Sequence, residues 1–146
     1  MGIFFTHCTK SNEEDSDFNV TFVYSNGDYP SVNSKVNAKL YAYPPYTADT
    51  PAALVHQRLL TVDQLPFVFH VPHDSVDVAA YESRFSEAIA NARYYVALDP
   101  WDSDNNGTAQ CSGDLAIDYN REFPRVYPGI AKTINLKRLT DISCAD

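Results

Sequence analysis

The sequence predicts an all-β protein, an antiparallel β-sandwich of about seven strands with one short helical insertion. Several segments alternate apolar and polar residues with the two-residue period of a half-buried strand, and turn-forming residues separate them. Aromatic residues are frequent, with ten Tyr and eight Phe, and such side chains pack well on a pleated sheet. A parallel fold built from βαβ units would need a helix between most strands, but only one segment has a helical period.

The first two predicted strands show the alternation most clearly. Residues 18–25 place an aromatic or valine side chain at every second position, and a turn at Asn26-Gly27-Asp28 follows. Residues 36–43 repeat this pattern and end at Pro44, because proline cannot donate a hydrogen bond to the ladder. The later predicted strands are, in order, residues 53–60, 67–71, 93–98, 115–119 and 132–139.

The helical insertion is predicted at residues 78–91. Tyr81, Phe85 and Ile89 recur every four residues there, and Asp77 stands where a side chain can cap the first turn. A helix of this length covers one open edge or end of the sandwich.

Length and charge set the domain organisation and exclude some partners. The chain has 146 residues, which suits one folded domain, predicted at residues 18–146 behind a flexible tether at residues 1–17. Its formal net charge of -8 excludes nucleic acid as a partner, because nucleic-acid binding needs a clustered basic face. No apolar run approaches the roughly 20 residues that a membrane-spanning helix requires.

The first eight residues form a short apolar stub that ends at Cys8, and the polar, acidic run Thr9 to Asp17 follows. This order resembles the end of a bacterial lipoprotein signal peptide, in which the cysteine becomes the lipidated first residue of the mature chain. The resemblance implies lipidation at Cys8, a membrane anchor through that lipid, and an extracytoplasmic location at the bacterial outer membrane, in the periplasm or at the cell surface. The alternative is a plain disordered tail.

The three cysteines fit the same location. Cys111 and Cys144 can pair in a disulfide that fixes the C-terminal tail to the body, which leaves Cys8 over. The alternative is two buried free thiols in a cytosolic protein.

The most specific chemical signal is the run Asp102-Ser103-Asp104-Asn105-Asn106-Gly107. Its alternating side-chain oxygens and glycine turn suit a hard cation, and we predict a Ca²⁺ site. It is not an EF-hand, because a strand precedes it and Gly113 occupies the twelfth position. The predicted ligands are Asp102, Asp104, Asn106, the carbonyl of Thr108, and Asp114, with Asp99 as an alternative last ligand. A plain turn remains the other interpretation, because Asp, Asn and Gly are common turn formers.

The sequence contains no catalytic motif. It lacks a nucleophile elbow, a Gly-rich phosphate loop and a C-x-x-C pair, and its acidic residues show no spacing that singles out a general acid and base. His70 and His73 lie three residues apart across Pro72, a spacing that disfavours a shared metal. We therefore predict that the protein is not an enzyme.

Residues 36–98 resemble the small envelope-lipoprotein family that includes YbaY and the YscW pilotin of type III secretion. The resemblance rests on the strand Val36 to Tyr43, on Ala48-Asp49-Thr50-Pro51-Ala52 before an apolar strand, and on Leu65-Pro66-Phe67-Val68-Phe69 before Val71-Pro72-His73-Asp74. It implies a β-sandwich held at the outer membrane by an N-terminal lipid, in some members a chaperone for a secretin subunit. The matching residues are turn and core residues, so the pilotin role is not carried over.

Two hypotheses of function follow. The first is a cell-envelope lipoprotein with a structural or partner-binding role, of which the chaperone or pilotin-like role is one form. The second is a soluble extracellular calcium-binding adhesion or matrix module, whose evidence is the run at residues 102–107.

Overall fold

The computed structural model describes residues 16–25, 33–46 and 50–144, and these residues form eight strands and one α-helix. The elements are β1 (Phe18–Val23), β2 (Ser34–Tyr43), β3 (Ala53–Val62), β4 (Phe67–Val71), α1 (Val78–Phe85), β5 (Arg93–Leu98), β6 (Leu115–Ile117), β7 (Arg125–Val126) and β8 (Lys132–Arg138). The predicted all-β sandwich with a short helical insertion is confirmed. Cys8 and the rest of the predicted signal remnant lie outside the described residues.

The strands form two four-stranded sheets, in the orders β4-β1-β8-β6 and β3-β2-β5-β7. All pairs but one are antiparallel, as predicted. The exception is β1 with β8, which run parallel in the middle of their sheet with Val20 opposite Lys132. Periodicity along a strand does not depend on the direction of its neighbour, so the sequence pattern could not predict this pair.

The core lies between the two sheets and is built from the alternating residues of the strands. Phe18 and Phe22 of β1 are buried, as are Leu40 of β2 and Val96 of β5. Contact between the sheets is direct, because the ring centroids of Phe18 and Tyr94 are 4.8 Å apart. This packing explains why the apolar positions of β1 and β2 follow a strict two-residue period.

The helix is shorter than predicted. Asp77 caps it as expected, because its carboxylate accepts a hydrogen bond from the Ala80 backbone N–H at 3.1 Å. The prediction that it continues to residue 91 is wrong: Ser86 adopts a left-handed conformation with φ of 56°, and a separate 3₁₀ turn follows at Ile89–Asn91. Within the described part of the chain, no helix has the length and apolar character to cross a membrane.

Candidate metal centre

The loop of residues 99–114 connects β5 of one sheet to β6 of the other, and buried side chains hold it in place. Trp101 is 1% exposed, and its indole N–H donates to the Ser34 Oγ at 2.8 Å. Ser103 is also buried, and its hydroxyl accepts from the Leu115 N–H at 2.8 Å. The loop is therefore fixed to β2 and to β6, which gives its acidic side chains defined positions.

A tight turn shapes the first half of the loop. The Asp102 carboxylate accepts hydrogen bonds from the backbone N–H groups of Asn106 at 3.0 Å and Gly107 at 2.7 Å. Gly107 has a φ of +97°, a conformation that favours glycine. Each carboxylate oxygen has two lone pairs, so Asp102 can accept these bonds and still coordinate a cation.

Three carboxylates meet inside the loop. One ligand oxygen each from Asp102, Asp104 and Asp114 lies within 4.8 Å of the other two. A glycine permits this approach, because a Cβ atom at Gly113 would stand 2.8 Å from the Asp104 Oδ2. Burial raises the pKa of Asp104, and its carboxyl neighbours Asp102 and Asp114 raise that pKa further. Ionising Asp104 beside these two carboxyl groups is therefore unfavourable unless a cation balances its charge.

Asp114 gives the strongest indication that this group binds a cation. Its side chain is fully buried, at 0% exposure. The Oδ2 atom accepts from the Cys111 N–H at 3.1 Å, but the Oδ1 atom has no hydrogen-bond partner. Burying a carboxylate oxygen without a partner is costly, whereas a bound cation would satisfy it.

The other two predicted ligands have turn contacts. The Asn106 side-chain carbonyl accepts from the Thr108 N–H at 2.9 Å, and its amide nitrogen lies 3.5 Å from the Asp104 Oδ2. The Thr108 carbonyl oxygen lies 3.3 Å from the Cys111 Sγ. The structure thus brings Asp102, Asp104 and Asp114 together, while the ligand roles of Asn106 and Thr108 stay predictions.

The donor set suits Ca²⁺. All three charged groups offer oxygen atoms, and Ca²⁺ takes six to eight oxygen ligands in flexible geometry. Zn²⁺ prefers His nitrogen and Cys thiolate, and the nearest sulfurs to this group belong to a disulfide. Backbone carbonyls of the loop and water would have to supply the remaining ligands.

The predicted disulfide is present beside this group. Cys111 and Cys144 are bonded, with an S–S distance of 2.10 Å and Cα atoms 5.0 Å apart. Reciprocal contacts between Ser112 and Ile142 hold the C-terminal tail against the loop, because the Ser112 N–H donates to the Ile142 carbonyl at 2.9 Å and the Ile142 N–H to the Ser112 Oγ at 2.9 Å. Cys111 belongs to the disulfide, and its backbone N–H also donates a hydrogen bond to the Asp114 carboxylate. The C-terminal tail is therefore connected through one residue to the group of three carboxylates.

Sequence reasoning missed a second polar cluster at the start of β1. The Asp17 carboxylate lies 3.0 Å from the His70 Nε2 and accepts from the His73 backbone N–H at 2.9 Å. The hydrogen bonds from His73 and His70 lower the pKa of Asp17. Asp17 was predicted to be the last residue of the flexible tether. The only sequence feature that indicated a polar site here was the pair His70 and His73, on either side of Pro72. Asp17 is in fact bound to the end of β4.

Comparison with known proteins finds no matching family model, no similar curated protein and no similar solved structure. The resemblance to the envelope-lipoprotein family therefore stays a prediction that rests on the quoted motifs.

Proposed function

We propose that this chain is a non-catalytic, extracytoplasmic partner-binding domain whose loop 99–114 binds Ca²⁺. One observation carries the calcium site of this proposal: the Oδ1 atom of Asp114 is buried without a partner, in a group with Asp102 and Asp104. A cation at this point stabilises the connection between the two sheets and keeps the loop in one conformation for a partner. The Cys111–Cys144 disulfide supports the extracytoplasmic location, because such bonds persist in oxidising compartments.

Thermal unfolding with and without calcium tests the cation site. In Ca²⁺ at about 100 times its Kd, the free energy of unfolding should rise by about 2.7 kcal/mol over the value in EDTA. For a domain of this size, that increase raises the Tm by about 5–10 °C. The single tryptophan, Trp101, precedes a ligand directly, so its fluorescence should change during the titration.

Matched variants and other metals make this test specific. Asp104→Asn should remove most of the calcium effect, whereas Asp74→Asn, an exposed carboxylate in the turn after β4, should leave it intact. Mg²⁺ should stabilise less than Ca²⁺, because it demands near-octahedral geometry and retains its waters. Equal Tm values in Ca²⁺ and EDTA would reject the site.

A second candidate function is a lipid-anchored cell-envelope lipoprotein, in which this same domain is held at the outer membrane through Cys8. Two features favour it: pairing of Cys111 with Cys144 leaves Cys8 over, and an acidic run follows Cys8. Partner binding to another envelope protein, of which a pilotin-like role is one form, belongs to this proposal.

Mass spectrometry of the protein from its native source tests the anchor. We expect a lipidated Cys8 at the mature N-terminus and partition into detergent. An unprocessed N-terminus with an unmodified Cys8 would reject the anchor, and the calcium experiment would be unaffected by that result.

A further inference from the structure

The outer face of the sheet β3-β2-β5-β7 carries a cluster of aromatic side chains. Leu40, Ala42 and Val96 point into the core, so the alternate residues Tyr41, Tyr43 and Tyr95 point outward. The ring of Tyr95 lies 5.1 Å from that of Tyr41, 5.9 Å from that of Tyr43 and 5.3 Å from that of Phe123. We call the surface formed by Tyr41, Tyr43, Tyr95 and Phe123 the aromatic face.

The segment of residues 119–130, which contributes Phe123 to the aromatic face, carries several exposed apolar side chains. In the part of the chain that the structure describes, four of the large exposed apolar residues lie in this segment. They are Tyr119 at 54% exposure, Phe123 at 54%, Tyr127 at 45% and Ile130 at 60%. Large exposed apolar groups gathered in one place mark interaction sites more often than scattered ones do.

Two arginine side chains flank the aromatic face, although the chain carries a net charge of -8. Arg93 lies opposite Tyr43 in the sheet, and Arg125 lies opposite Tyr95. Among the described residues, neither guanidinium has a carboxylate within 4.0 Å, and the Nε of Arg125 is buried without a hydrogen-bond partner. The acids next to this face are paired with lysines: Asp99 with Lys39 at 2.9 Å, and Glu122, which precedes Phe123 in the chain, with Lys132 at 3.0 Å. The unpaired charge of this face is therefore positive.

A cleft of about 370 Å³ adjoins the aromatic face. Apolar side chains from both sheets line it, among them Leu98 of β5 and Ile117 of β6. Tyr119 forms part of its wall. Asp99 also lines the cleft and pairs at 2.9 Å with Lys39, which lies two residues from Tyr41 on the same side of β2, so the cleft lies beside the aromatic face. One apolar side chain of a bound segment could enter this cleft.

We propose that the aromatic face and the adjoining cleft bind an acidic peptide segment of another protein. Its carboxylates would pair with Arg93 and Arg125, and one apolar side chain would occupy the cleft. Charge complementarity selects this occupant, because guanidinium groups pair with carboxylates through two parallel hydrogen bonds. Tyr and Arg are also the residue types that dominate binding energy at protein interfaces. This proposal rests on the partner-binding role proposed above, for which it names the binding surface and the chemical class of the partner. It does not depend on Ca²⁺ binding.

The arrangement of the rings favours a peptide over an anionic glycan. The rings of Tyr41 and Tyr95 are nearly parallel, with an interplanar angle of 16°, and overlap at 5.1 Å. Three aromatic neighbours therefore contact the Tyr95 ring and compete with a sugar for its faces. The groups it does offer are guanidiniums, tyrosine hydroxyls and a side-chain cleft.

A displayed library of random 12-residue peptides tests the proposal on the full chain in EDTA, so that failure of the calcium site cannot affect the outcome. Selected peptides should be rich in Asp and Glu around an apolar residue. In anisotropy measurements with the synthesised peptides, Arg93→Gln and Arg125→Gln should each weaken binding about tenfold, and Phe123→Ser by a similar factor. Arg58→Gln, an exposed arginine on β3, is the matched control and should bind like the wild type.

Two further measurements keep the result decisive. Each variant is melted to confirm that it folds, and backbone amide NMR shifts of the wild type map the bound peptide to residues around Tyr95 and Phe123. The proposal is overturned if no acidic peptides are enriched, if they bind the arginine variants as tightly as the wild type, or if the shifts map elsewhere. Binding of trigalacturonate at the aromatic face without peptide binding would assign the site to a glycan instead.

Discussion

Asp114 combines full burial with an oxygen that has no hydrogen-bond partner, so its replacement should act in opposite directions with and without calcium. Asp114→Asn keeps the side-chain shape and removes one of three crowded charges. In EDTA we expect the variant to be more stable than the wild type by about 1 kcal/mol, because the repulsion of the buried Asp114 carboxylate by its two carboxylate neighbours is relieved. In Ca²⁺ it should lose the stabilisation that the wild type gains. Urea denaturation in both conditions measures this, and an unchanged calcium response would contradict it.

Asp17 should make the free energy of unfolding depend on pH in the acid range. Its hydrogen bonds with His73 and His70 lower its pKa below the ordinary value of 3.8. A lowered carboxyl pKa stabilises the folded state above the ordinary value, and that contribution is lost as the pH falls through the folded pKa. Asp17→Asn should therefore destabilise the protein near neutral pH and lose its effect in strong acid. Urea midpoints across this range test it, with Asp74→Asn as the control, and a pH-independent loss would contradict it.

At the scale of single elements, the sequence predicted what depends on local periodicity and missed what depends on neighbours. Strands β1 and β4 start where the alternation starts, because one face of each is in the core. The two-residue strand β7 was missed, since it is too short to show a period. The prediction of helix over residues 86–91 was wrong because the periodic apolar spacing continues past Ser86, where the backbone turns left-handed. An isolated φ value of this kind has no periodic signature.

The cap of α1 is the point at which this short helix is most easily weakened. The helix has eight residues and buries Tyr81, and the Asp77 carboxylate satisfies one of its free N–H groups. Asp77→Ala should lower the free energy of unfolding by about 1 kcal/mol, whereas Asp77→Ser should retain most of the cap. Urea denaturation of both variants measures the difference. If Ala and Ser prove equally stable, the cap does not contribute.

At the scale of the whole molecule, the candidate metal centre depends on contacts that connect distant parts of the chain. The run at residues 102–107 and the proximity of Asp114 were readable because they lie within one loop. The contacts that fix this loop could not be predicted from the sequence, because Ser34 and Trp101 are 67 residues apart in the chain. The same holds for Asp17 and His70, 53 positions apart. Side chains that meet only through the fold leave no spacing in the sequence.

The disulfide joins two positions 33 residues apart, and it should contribute a large share of the stability of the whole domain. Closing a loop of this length in the unfolded chain corresponds to about 4 kcal/mol in the chain-entropy model. Domains of this size have a total of about 5–15 kcal/mol. Replacing Cys111 and Cys144 together by Ser should therefore lower the free energy of unfolding by about that amount, measured by urea denaturation without reductant. The disulfide also restrains the loop around Cys111, whose backbone N–H donates to the Asp114 carboxylate, so the same variant should bind Ca²⁺ more weakly in a Trp101 fluorescence titration. Cys8→Ser is the control and should change neither quantity. Wild-type stability in the double variant would mean that the sandwich alone holds the tail and the loop.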